Sequence, residues 1–149
     1  MKLWVWVLLL LMSACTSQDE TDQRRVRARC GLPRDATVLV WKGYPEQVGF
    51  GQREGLSLEG TFRPTAGWSA PAAGYRVGPW PRARAAIEKG FRLGTMVDGA
   101  RALRCETAGD NVLSATSTRP CDTVAPLPDL ILCVLEPSGD VRAVVRSLY

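Results

Sequence analysis

Reactive chemistry in this chain is bounded by one presence and one absence: five cysteines and no histidine. Without an imidazole, Ser-His-Asp, Cys-His and HExxH mechanisms are all excluded. The cysteines stand at positions 15, 30, 105, 121 and 133. Their spacings match neither a C-x-x-C redox pair nor a zinc ribbon, and mixed Cys/His zinc sites need the missing residue type. No metal and no cofactor is expected. Carboxylate chemistry remains, and glycoside hydrolysis would require two acids facing each other across a cleft at a set separation. Glu46, Glu54, Glu59 and Glu106 are the candidates, and each falls in a loop or on the outer face of a strand. The chain therefore reads as a non-enzyme with no catalytic residue.

The first cysteine is placed by the stretch before it. Met1 and Lys2 form a short positive region, Leu3 to Met12 are apolar, and Ser13-Ala14 set small side chains before Cys15. An apolar run of about ten residues is too short for a membrane span, which needs roughly 20. The string Met12-Ser13-Ala14-Cys15 resembles the lipobox of bacterial lipoproteins, with Met in place of the usual Leu. The resemblance covers the signal alone and says nothing of the domain behind it. It implies a signal peptide over 1–14, cleavage before Cys15, a diacylated sulfur and an acylated amine. Three acyl chains anchor a domain stably where one chain would not. Thr16 in place of Asp after the cysteine implies, by the same resemblance, export to an outer membrane, facing the periplasm.

Removing 14 residues from 149 leaves 135, enough for one domain with its own core. Loss of Lys2 leaves 18 basic against 15 acidic residues, a net charge of about +3. Sixteen of the basic residues in the chain are Arg. That suits carboxylate or phosphate recognition, but a modest charge in an exported chain does not point to nucleic acid. In such a chain Cys30, Cys105, Cys121 and Cys133 are expected to form two disulfides, with three connectivities open. The preferred pairing is Cys30 with Cys105 and Cys121 with Cys133, tying the start of the domain to its middle and closing a Pro-rich connection.

The elements that must hold these residues are those of a small α+β fold, a mainly antiparallel sheet with one short helix, stapled by disulfides. Residues 15–29 are polar apart from Val26 and are expected to form a flexible tether, its four arginines able to rest on anionic headgroups. One globular domain is expected over 30–149. Thr37 to Trp41 reads as a strand, Gly43 to Gly55 as a long loop, and Leu56 to Arg63 as a strand with Leu56, Leu58 and Phe62 on its buried side. Pro64 to Pro81 is an irregular connection, and Pro81 to Gly90 is the helix, opened by Pro and closed by Gly. Strands follow at 91–97 and 100–107, joined by an Asp98-Gly99 turn signal, and at 112–118. The strongest hairpin comes last. Leu130 to Leu135 is apolar on both faces, as a central strand requires, while Val141 to Leu148 carries Arg142 and Arg146 on one side, as expected nearer an edge.

Long loops that carry aromatics are candidate binding surfaces. Tyr44, Phe50 and Arg53 in the first such loop, and Trp68, Tyr75 and Trp80 in the second, are the candidate contact residues, although such a loop also commonly folds back as a lid on its own core. The expected function is that of an envelope lipoprotein held on the membrane through Cys15, binding an envelope protein or a cell-wall component. The alternatives are an inhibitor or immunity protein against a periplasmic toxin or hydrolase, and a carboxylate-based hydrolase.

Overall fold

The structure, a computed structural model, describes residues 18–46, 55–76, 99–109, 111–121 and 129–148. A helix, α1, spans residues 18–29. Six strands follow: β1 (Thr37–Glu46), β2 (Gly55–Arg63), β3 (Ala102–Ala108), β4 (Arg119–Pro120), β5 (Asp129–Leu135) and β6 (Val141–Leu148). They form one sheet in the order β1-β2-β6-β5-β3-β4, every neighbouring pair antiparallel. The expected small α+β fold is thus found, but its helix lies where a tether was expected. The helix predicted over 81–90, the strand over 91–97 and Asp98 of the predicted turn lie outside the described residues, as does Cys15.

Over its described part, 18–29, the expected tether is instead α1, which places the domain's start no later than residue 18. Asp22, Val26 and Cys30, spaced four apart, share one face and are buried at 9%, 1% and 0% exposure. That stripe is narrow, but it is enough because Cys30 is bonded to Cys133 in β5. Acids lead and arginines close the helix, which complements its dipole, and Glu20–Arg24 and Asp22–Arg25 form ion pairs along it. It ends in a Schellman motif. Gly31 N–H donates to the carbonyl of Ala28, Leu32 N–H donates to that of Arg27, and Gly31 sits at φ +65°, which L residues with a Cβ avoid. Pro33 follows at once.

β1 runs to Glu46, through the Gly43-Tyr44-Pro45 expected to stop it, and pairs with Gly55 to Arg63. Pro45 is tolerated because β1 is an edge strand of the described sheet, where a missing N–H has no ladder to break. A bulge between Val38 and Val40 leaves Leu39 and Val40 exposed. In β2 the alternation is as expected, with Leu58 and Phe62 buried. β6 is not near an edge: it lies between β2 and β5. Arg142 is accommodated there by Glu59 of the neighbouring strand and by Glu136, at 3.7 and 3.5 Å.

β5 is central and buried on both faces, as its composition required. On one face Ile131 and Cys133 pack with Val141, Ala143, Val145, Leu58 and Phe62 of the sheet and with Val26, Leu32 and Ala36 of the covering layer. On the other, Leu130, Leu132 and Val134 are equally buried. The strand expected over 112–118 is instead a turn. The Asn111 side chain accepts from Leu113 N–H, and the Asn111 carbonyl accepts from Ser114 and Ala115 N–H. Val112 and Leu113 are both buried, a consecutive pair that plugs the core without alternating. Among the described residues no helix is long and apolar enough to cross a membrane.

Candidate functional site

The best-formed concavity among the described residues lies on the outer edge of β3. There Arg76 pairs with Leu103 through two backbone hydrogen bonds, of 2.8 and 3.0 Å. Three residues on, β4 pairs with Glu106 and Thr107. Among the described residues the edge between these two short partners is open, making a pocket of about 190 Å³ lined by Gly74, Arg76, Leu103, Glu106, Pro120 and the disulfide of Cys105 and Cys121. Pockets for drug-sized ligands run to roughly 300–1,000 Å³. This one has room for no more than a side chain or a small head group.

Its electrostatics follow from the period of the strand. Arg104 and Glu106 are two apart in β3 and so project from the same face. The Arg104 guanidinium donates to Glu106 Oε1 at 2.8 Å, and the Thr118 hydroxyl donates to Glu106 Oε2 at 3.0 Å. Both carboxylate oxygens are engaged. The same guanidinium lies over the Tyr75 ring, 6.0 Å from its centroid, and a Cβ at Gly74, where φ is +98°, would come within 3.1 Å of it. Burial pushes the Tyr75 phenol well above its ordinary range, with Arg104 pulling the other way and Glu106 adding to the rise.

Trp68 and Tyr75, two of the candidate contact residues, tie the 64–76 loop to the core. Tyr75 is 8% exposed and its hydroxyl donates to the carbonyl of Cys30 at 2.8 Å. Trp68 is half-buried, its indole N–H donates to the carbonyl of Gly31 at 3.1 Å, and its ring meets that of Tyr75 edge-on. The loop is a lid over the end of α1. Tyr44 falls within β1, and Phe50, Arg53 and Trp80 lie outside the described residues.

The carboxylates do not converge. Glu46 ends β1, and Glu54 lies outside the described residues. Glu59 is on β2 and Glu106 on β3, with β6 and β5 between them. Three interstrand steps of about 4.8 Å separate them by roughly 14 Å, beyond the span of a glycosidase pair, and the register sets them on opposite faces. Among the described residues no group of three or more potential metal ligands is found.

All four described cysteines are paired, as Cys30–Cys133 and Cys105–Cys121. The connectivity preferred from sequence is corrected. β3 and β5 are neighbours, so Cys105 faces the register of Leu132, one residue out of phase with Cys133. The two bridges therefore leave the sheet from opposite faces, Cys133 toward α1 and Cys105 toward the segment after β4.

No family model, curated protein or solved structure matches this chain. The reading of its function rests on its own residues.

Proposed function

We propose that the protein is a lipid-anchored envelope protein, held through Cys15 on an outer membrane facing the periplasm, that works by binding a protein or cell-wall component and not by catalysis. The observation that carries the binding reading is the state of Glu106. It is the carboxylate of the best-formed pocket, and Arg104 and Thr118 hold both its oxygens. A general acid or nucleophile needs a carboxylate free to reach its substrate. This one instead braces the wall of a small recess with Arg76 at its rim. The anchor is supported by the Met12-Ser13-Ala14-Cys15 string, and export fits two disulfides, which persist in oxidising compartments.

Photo-crosslinking in intact envelope tests the pocket as the contact surface. A photoreactive residue replacing Arg76 is expected to trap a discrete partner, and the same probe at Ser138, on the β5–β6 turn, is expected to trap none. Equal capture at both positions, or capture at neither, overturns the pocket as the binding surface.

A further inference from the structure

The start of α1 bears directly on how the domain meets a membrane. We propose that α1 is a rigid stand-off that seats the domain directly on the bilayer surface, its amino-terminal turn toward the headgroups. The proposal rests on the lipid-anchor reading of Cys15. Only Thr16 and Ser17 separate that residue from Gln18, the first described residue of the helix. Three residue steps span at most about 11 Å when fully extended. A tether of fifteen polar residues would have allowed about 50 Å by the same measure.

Beyond its first turn the helix cannot supply the missing slack by peeling away. Its packed face begins at Asp22, one turn from the start, and continues through Val26 to Cys30. Cys30 is bonded to Cys133 in the middle of the central strand, and both are fully buried. Arg27 donates to the carbonyl of Ala36 at 3.2 Å and its guanidinium lies over the Phe62 ring, while Arg29 donates to the carbonyl of Ala115. Undocking α1 would break all of these together.

The same contacts change what the arginines do. In a flexible segment four of them would be available to anionic lipid. In the helix Arg27 and Arg29 turn inward, and the exposed Arg24 and Arg25 lie beside Glu20 and Asp22, at 3.8 and 3.9 Å, whose charges offset theirs. The partner surface is therefore the headgroup layer of the bilayer that holds the acyl chains, approached because the link is short and not because lipid charge attracts it. A domain of about 130 residues is roughly 35–40 Å across. Whatever it binds must come within that height of the membrane.

Neutron reflectometry on the full acylated protein in a supported bilayer reads the gap between headgroups and protein. The expected gap is at most about 11 Å, the same on zwitterionic and anionic bilayers. An insert of about 15 Gly/Ser residues between Ser17 and Gln18 is expected to move the protein layer outward by roughly 20 Å. A gap of several tens of ångströms in the uninserted protein overturns the stand-off, as does no response to the insert. Close approach confined to anionic bilayers overturns it in favour of electrostatic adhesion. Mass spectrometry of the mature amino terminus separates the two levels: an unacylated Cys15 overturns anchor and stand-off together, whereas an acylated Cys15 with a wide gap overturns the stand-off alone.

Discussion

Tyr75 joins three parts of the molecule through one side chain: its ring takes the Trp68 edge and the Arg104 cation, and its hydroxyl caps the carbonyl at the end of α1. Tyr75→Phe keeps the ring and leaves the Cys30 carbonyl without this donor. Denaturant unfolding is expected to show a loss of about 1–2 kcal/mol. The phenol also sets a pH dependence. Its folded-state value lies above the unfolded value near 10, so the native state holds the proton longer. Its stabilising contribution is full below pH 10 and declines as pH rises beyond it. Melting temperatures recorded from pH 9 to 11.5 are expected to fall less steeply for Tyr75→Phe than for the parent. Gly60 works in the opposite sense, by what it lacks. It stands across from Trp41 in the β1–β2 register, and a Cβ there would come within 2.9 Å of both Trp41 and Phe62. Gly60→Ala is expected to cost about 1–3 kcal/mol in the same unfolding measurement, because the fully buried Phe62 ring would have to shift.

At the scale of elements, α1 is held by very little apolar surface, so its single large apolar contact should be measurable. Val26→Ala is expected to lose about 1–3 kcal/mol by chemical denaturation, while Arg25→Ala, on the exposed face, should stay within about 0.5 kcal/mol. Near-equal effects would show that α1 does not dock. The strands were legible in the sequence because their signal is periodic. Leu58 and Phe62 alternate with polar neighbours, and Leu130 to Leu135 is apolar throughout, so β2 and β5 announce one buried face and two. The helix was not, because hydrophobic content was the wrong measure for it. One valine and one cysteine suffice when the cysteine is cross-linked to the core, and that cross-link is a tertiary fact. Its ends were readable nonetheless: acids at 19 and 20, then Gly31 and Pro33. The site was half legible. Glu106 stood among the candidate acids, but Arg104, which pairs with it, and Thr118, which donates to it, come from a strand face and a distant loop that no local pattern brings together. Trp68 and Tyr75 were singled out by type, yet whether an aromatic loop faces solvent or folds inward depends on acceptors, here the carbonyls of Cys30 and Gly31, that spacing does not reveal.

For the whole molecule, the two bridges divide the labour of stability unequally. Cys30–Cys133 spans 103 residues and Cys105–Cys121 spans 16. Loop-closure entropy assigns them about 4.7 and 3 kcal/mol. Replacing Cys30 and Cys133 together by Ala is expected to lower the melting temperature more than replacing Cys105 and Cys121, and also to release α1, visible as faster hydrogen exchange over residues 18–29. If the shorter bridge proves the costlier to lose, its attachment of the β4 segment matters more than the chain-entropy argument allows. The exposed edge has its own expectation. β1 presents Leu39 and Val40 beside Lys42 and Pro45, a charge and a proline that discourage strand addition. Changing Lys42 and Pro45 to Val together should promote self-association, detectable by light scattering.

The nesting of the shorter bridge inside the longer one has a consequence in time as well as in space. A chain delivered amino terminus first presents Cys30, then Cys105, then Cys121, and only near its end Cys133. Oxidation in order of arrival joins Cys30 to Cys105 and leaves Cys121 for Cys133, the reverse of the native arrangement. Reaching the native pairs then requires the first bond to be undone and redrawn, an exchange that takes seconds to hours and depends on a shuffling catalyst. On the export proposed above, maturation is expected to depend on the disulfide-isomerising capacity of the host, and a host deficient in that capacity is expected to accumulate the chain cross-linked at Cys30 and Cys105.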